Sequence, residues 1–491
     1  MSDPNPTPVG ELSEDAVQNL VPTCEIDASC RWPVLFLFTK ASFWLALSGI
    51  LWLVSSIQLF SPDFWSVCPW ITVGRLRPAA WNIFIYGFTV PSGLGVLLWM
   101  LARLGNAPLK HGGMVIFSGV VWNLGVLAGL YGILRGDNTG FSWLEFPRYS
   151  IPLLFFAYLV VAIVAVINFT ERRREGLYVS QWFLLAALFW FPWIYSTANL
   201  LLVFKPVRGV VQVVVDGWYK AAFGGVWLAS IGLAVIYYLV PKLVERPLYS
   251  RSLASLGFWT MLFFFAWRAV VPDAPVPAWI ASASTAGALL TVIPILAFAI
   301  NILSTTRGAL PKGMPRPELL FVIFASVCYV VIQLASIWAA KRASTEVIRF
   351  TLFGDAQQTG LLYGFGAMSL FAAIYWIVPK LLELDGGALK YAAVHFWTSA
   401  AGVALLVFVF AFGGLVQGNA LNDPHLSLVD IAATMRSYFA AGILGVLLLL
   451  VGQITLAFEL CSANCAVARS WLCESYVEAT RGAVKPAGAK V

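Results

Sequence analysis

Charge is scarce in this chain. Of its 491 residues only 11% are Asp, Glu, Lys or Arg, against about 25% in ordinary soluble domains. Hydrophobic residues make up 60%, and mean hydropathy is +0.82. A soluble fold cannot hide that much apolar surface, which excludes a cytosolic enzyme. No basic block stands out. The formal charge of +7 is spread over many short loops, which argues against nucleic-acid binding. Phosphate-cradling and dinucleotide glycine motifs are missing, as is the C-x-x-C-H of covalent heme attachment. The seven cysteines contain no C-x-x-C pair, so a zinc site has little support. Histidine is scarcer still, with three copies.

Long apolar runs are abundant. A helix needs about 20 apolar residues to cross a bilayer. Twelve such stretches fit between residues 33 and 460, joined by short connections. The expected fold is an all-α polytopic membrane protein with a single membrane domain over 33–460. The segment 1–32 is polar and acidic, with Asp3, Glu11, Glu14, Asp15, Glu25 and Asp27 against Arg31. It has no basic start leading into an apolar run, so it is expected to be a disordered arm, not a signal peptide. Residues 461–491 are expected to be a tail. With both termini on one side, that side carries 18 loop Lys and Arg and the other carries 9. The positive-inside rule then predicts that both termini are cytoplasmic.

Residues 236–243 read IYYLVPKL and residues 374–381 read IYWIVPKL, with Glu245 and Glu383 at equivalent places beyond them. They end the sixth and tenth predicted helices. A period of four helices suggests three similar four-helix arcs. The same strings also fit a recurrent helix stop, with interfacial Tyr and Trp before a Pro.

Other strings point to a family. RLRP occurs at Arg75–Pro78, followed by Asn82. YVSQW occurs at Tyr178–Trp182, and ALFWFPWIYSTANLLL at 187–202. VVQVVVDGWY (210–219), GFW (257–259), PVPAW (275–279) and RFT (349–351) follow in order. On these strings, residues 25–460 resemble subunit I of the heme-copper oxidases, most of all the cbb3-type cytochrome c oxidase branch. The resemblance implies a bacterial inner-membrane, respiratory-chain protein that works with other membrane subunits, including c-type cytochromes. It also implies two heme b groups and one copper, held by six histidines.

The positions that match those histidines hold other residues. They are Ala80 on the second helix, Ala221 on the sixth, Val271 and Pro272 at the end of the seventh, and Gln357 and Thr359 on the tenth. Phe265 matches the tyrosine that this branch crosslinks to histidine. His111, His395 and His425 fall elsewhere. Amide and hydroxyl groups are poor substitutes for imidazole on iron or copper. No heme or copper is therefore expected. Asp216, Lys220, Arg268 and Asp355 fall at a similar depth and, with Gln357, suggest a shared polar cluster. Local pairing is the other reading, since Asp216 and Lys220 are spaced i,i+4 and the charges can snorkel. Trp81, Leu352, Phe353, Phe264, Phe265 and Trp267 either fill space left by the cofactors or pack as in any membrane protein. The expected function is a non-catalytic paralogue of the oxidase subunit. The alternatives are a terminal oxidase with unusual ligands, reducing O2 and pumping protons, and an ion, quinone or lipid binder or conduit.

Overall fold

The computed structural model describes residues 20–483, apart from 66, 269, 271–273, 310–315 and 385–388. Every element among the described residues is helical. In lipid an exposed peptide group has no water to bond, so the helix is the natural way to satisfy it. Among the described residues eleven helices are long and apolar enough to cross a membrane. They are α1 (Thr23–Phe60), α2 (Val73–Gly105), α3 (Gly112–Arg135), α4 (Ile151–Thr170), α5 (Val179–Phe204) and α6 (Val210–Leu243), then α8 (Ala278–Thr306), α9 (Pro317–Ala339), α10 (Phe353–Leu381), α11 (Ala392–Leu421) and α12, whose crossing part is Leu428–Cys465. Between α6 and α8 lies α7 (Arg251–Phe264), extended by a 3-10 turn at Phe265–Trp267. It is shorter than the rest and completes the expected twelve.

Both chain ends depart from expectation. The first helix begins at Thr23, inside the segment expected to be a loose arm. The cause is Asp27, which accepts from the indole of Trp99 at 2.9 Å and pairs with Arg103 at 2.8 Å. Just before it, Asn106 clasps the backbone of Val21, accepting from its N–H and donating to its carbonyl. The last helix runs without a break from Leu428 to Ala483, through most of the expected tail. Residues 461–481 contain no Gly or Pro to stop it. Residues 1–19 and 484–491 lie outside the described residues.

Three helices form the centre. The apolar window is wholly buried in α2 and α6 and 89% buried in α10, against 39–50% in the other eight. Small residues let these three approach one another. Gly93 faces Trp227, Gly232 faces Phe365, and Gly366 faces Leu228. Each central helix also widens into a π-helical stretch: Ile83–Thr89 in α2, Phe223–Leu228 in α6 and Gly360–Ala367 in α10. Such stretches are rare and concentrate at functional sites.

The three also end alike, on the face where α1 begins, here called the N-terminal face. Asn106, Glu245 and Glu383 adopt left-handed conformations, with φ of 52°, 55° and 52°. The next amide in each case donates back to a carbonyl of the last turn. These bonds are Ala107 to Ala102 (3.1 Å), Arg246 to Pro241 (3.0 Å) and Leu384 to Pro379 (2.9 Å). Matching interior and matching ends establish a threefold internal repeat, of which the two VPKL strings are copies. The third copy is Trp99-Met-Leu-Ala-Arg103, where Ala102 stands for the Pro.

Candidate functional site

The residues at the expected ligand positions lie near the far ends of the central helices, within three residues of each π-helical stretch. Ala80 is buried and Ala221 is half-buried. On α10, Gln357 is half-buried, while Thr359 is buried and its hydroxyl has no partner. Val271 and Pro272 lie outside the described residues.

Aromatic side chains occupy the space between α1, α2 and α10. Trp52 and Trp81 meet at 4.9 Å between ring centroids, and Trp52 and Tyr363 at 5.4 Å. Phe84 stacks on Tyr363 at 4.1 Å. The Tyr363 hydroxyl accepts from Gln453 on α12 at 2.8 Å. Beyond this stack a cavity of about 20 Å³ remains, lined by Trp52, Ser55, Arg77 and Asp355 among others. It has room for a water molecule and little more.

Between α6 and α7, Phe265 is fully buried, its ring against Gly225, where a Cβ would collide with it. Trp81, Leu352 and Phe353 are also buried. Trp267 fills no interior space: it is 59% exposed. It lines a lateral apolar cavity of about 460 Å³ with Trp190, Trp193, Trp218 and Trp279, and Val270, next to the expected ligand position Val271, also borders it.

The expected polar cluster divides into separate pairs. Lys220 donates to Asp216 at 2.8 Å, one turn away on α6. Asp355 pairs with Arg77 on α2. Arg268 donates to Gln333 on α9 at 2.7 Å and stacks over Phe265 at 4.3 Å. Gln357 makes no side-chain hydrogen bond with any of them. The i,i+4 spacing satisfies Asp216 locally, and the start of α2 brings Arg77 to Asp355. The cluster reading is therefore corrected to local and pairwise contacts.

Sequence reasoning missed Glu145. The loop between α3 and α4 folds inward and places this carboxylate where it accepts from the Asn82 side chain. Burial pushes its pKa up to about 7, with the Asn82 hydrogen bond opposing. Beside it, Tyr86 donates to the Trp143 carbonyl at 2.6 Å and so accepts from the Tyr219 hydroxyl at 2.6 Å. The available signal was one acid set among apolar residues in FSWLEFP. The histidines lie apart. His395 is buried on α11, where its Nδ1 is 3.0 Å from the Tyr375 hydroxyl, which also bonds Glu459. His425 is exposed in a loop and His111 opens α3. Among the described residues no group of three or more His, Cys, Asp and Glu is arranged to hold a metal ion.

The family model for Cytochrome C and Quinol oxidase polypeptide I matches residues 33–455. The chain belongs to this family. A cytochrome c oxidase subunit 1 homolog of Azorhizobium caulinodans is 24% identical over 85% of this chain and 79% of its own. Cytochrome c oxidase subunit 1 of Rhodobacter capsulatus is 26% identical over 81% of this chain and 80% of its own. A cbb3-type cytochrome c oxidase subunit of Stutzerimonas stutzeri is 23% identical over 80% of this chain and 86% of its own. The solved structure of a heme-copper terminal oxidase dimer superposes with a TM-score of 0.66 at 13% identity, covering 88% of this chain and 84% of that one. The oxidase polypeptide I fold is thus present over nearly the whole chain, and the protein is an integral membrane protein. The matched relatives are named as subunits.

Proposed function

We propose that this chain is a non-catalytic member of the oxidase polypeptide I family. It serves as a structural or regulatory subunit of a respiratory-type complex in the bacterial inner membrane. The observation that carries this reading is the filled interior between the central helices. Where the resemblance implies heme between α2 and α10, Trp52, Trp81, Phe84 and Tyr363 pack on one another, with a cavity of about 20 Å³ beside Trp52. A porphyrin does not fit there without displacing them. Where it implies copper between α6 and α7, Phe265 lies against Gly225.

The donor set agrees with the packing. Ala80 and Ala221 have no ligand atom, and Gln357 and Thr359 offer only weak neutral oxygens. The residues present do not fit heme or copper. Filling the space with rings also avoids a cavity penalty of about 24 cal/mol per Å³. A binder or conduit built on the four charges has less support, because each charge already has a nearby partner.

The excess of loop Lys and Arg supports a cytoplasmic N-terminal face, with residues 1–32 and 461–491 on that side. Partners are other membrane subunits, c-type cytochromes among them, since the fold of a subunit is kept while its site is not. The test is gentle purification of the tagged chain, with mass spectrometry of its companions and oxygen uptake from reduced cytochrome c. The reading expects stoichiometric membrane subunits and no uptake by the isolated chain. Oxygen uptake at turnover rates by that chain contradicts it.

A further inference from the structure

The repeated helix ends do more than close three helices. They gather Arg103 of α2, Lys242 of α6 and Lys380 of α10 at the N-terminal face, around the centre of the bundle. Each cation lies over an aromatic ring one turn earlier in its own helix. The distances to the ring centroids are 5.9 Å for Arg103 over Trp99, 4.2 Å for Lys242 over Tyr238 and 3.5 Å for Lys380 over Trp376. Trp99 and Tyr238 meet edge-on at 5.9 Å, which ties two of the units together. The three charges repel one another: Arg103 acts on Lys242, and both act on Lys380.

Two nearby carboxylates are committed, and Asp27 also attracts Lys380 without bonding it. Asp27 holds Arg103 and Trp99, and Glu383 holds Arg31. Glu318 attracts Lys380 from a distance without bonding it. Among the described residues neither lysine has a carboxylate within ion-pair reach. Each ammonium bonds once within the protein, Lys242 to the Tyr238 hydroxyl and Lys380 to the Trp376 carbonyl, both at 2.9 Å. An ammonium has three donors, so two remain on each. The indole N–H of Trp376 is buried and lies toward the Tyr238 hydroxyl, which ties α10 to α6. Among the described residues, positive charge and free donors gather at this place.

We infer that this ring is a binding site for a phosphate group. A tetrahedral oxyanion presents separate oxygens to cations arranged around an axis, whereas a carboxylate presents two in one plane. Binding relieves the mutual repulsion of Arg103, Lys242 and Lys380. Free phosphate in solution and the headgroup of an anionic lipid share this chemistry. The inference does not depend on whether the chain binds heme.

The test uses the full chain purified in a phosphate-free, uncharged detergent. Equilibrium binding of radiolabelled inorganic phosphate, at ionic strength fixed with chloride, is expected to saturate near one per chain. The double variant Lys242→Gln and Lys380→Gln is expected to weaken it by about tenfold or more. The double variant Lys242→Arg and Lys380→Arg, which keeps the charge, is expected to bind and guards against a folding artefact in the first. A second arm places the chain in phosphatidylcholine nanodiscs with or without phosphatidylglycerol and measures lipid retained by native mass spectrometry. Retention of phosphatidylglycerol that the Gln variants lose, without binding of free phosphate, supports the site and assigns it to a headgroup. No saturable binding in either arm, or binding unchanged in the Gln variants, overturns the inference.

Discussion

Glu145 and Thr359 illustrate how single residues settle in this interior. Glu145 is an acid that burial makes reluctant to ionise, with its pKa raised to about 7. A carboxyl raised on folding favours the native state while protonated, so its contribution is present below the unfolded value of about 4.3. That contribution is lost as pH rises through about 7. Glu145→Gln keeps an acceptor for Asn82 and has no charge to bury. Its thermal stability is expected to be flatter than wild type between about pH 5 and 8 and higher at the alkaline end, as read from Tm against pH. Thr359 is buried with an unpartnered hydroxyl at an expected ligand position. Thr359→Val removes that hydroxyl at nearly constant shape and is expected to leave stability unchanged or raise it by about 1 kcal/mol. A large loss would mean that the hydroxyl has a partner in the working protein. At this scale the sequence was legible only over short range. The i,i+4 spacing announced the Asp216–Lys220 pair. Arg77 and Asp355 stand 278 residues apart, and nothing in either local pattern pointed to the other.

Helices were the most readable elements, because the bilayer leaves an apolar run little choice of structure. Their ends were less so. Asp27 looks like a solvent residue in an acidic arm until Trp99 and Arg103 arrive from another helix to hold it. The π-helical stretches left no mark in the apolar strings that contain them. The close contact of α6 with α7 depends on one glycine. Gly225→Ala puts a methyl into the Phe265 ring and is expected to cost about 1–3 kcal/mol. Phe265→Leu in the same chain is expected to recover part of that loss, which a double-mutant cycle in detergent unfolding measures. At the helix ends, Glu245 holds a left-handed conformation that suits glycine. Glu245→Gly is expected to stabilise by about 1 kcal/mol, where the same change in the middle of α6 would destabilise.

On the scale of the whole molecule, the threefold repeat organises everything described. Two copies were visible as VPKL strings. The third was hidden because α2 has Ala102 in place of Pro and Arg103 in place of Lys, and equivalence at that level lies in backbone geometry. The resemblance to heme-copper oxidase subunits was legible from ordered short strings, and the family match spans residues 33–455. The division of the polar cluster was not legible, since it depends on which helices touch. The central proposal is that an oxidase fold here encloses packed side chains where the resemblance implies cofactors. The measurement that tests it most directly is a reduced-minus-oxidised optical spectrum of the purified chain, with iron and copper quantified in the same sample. The account predicts no stoichiometric heme bands and metal far below one per chain. Two hemes and one copper per chain would contradict it and return the protein to the working oxidases.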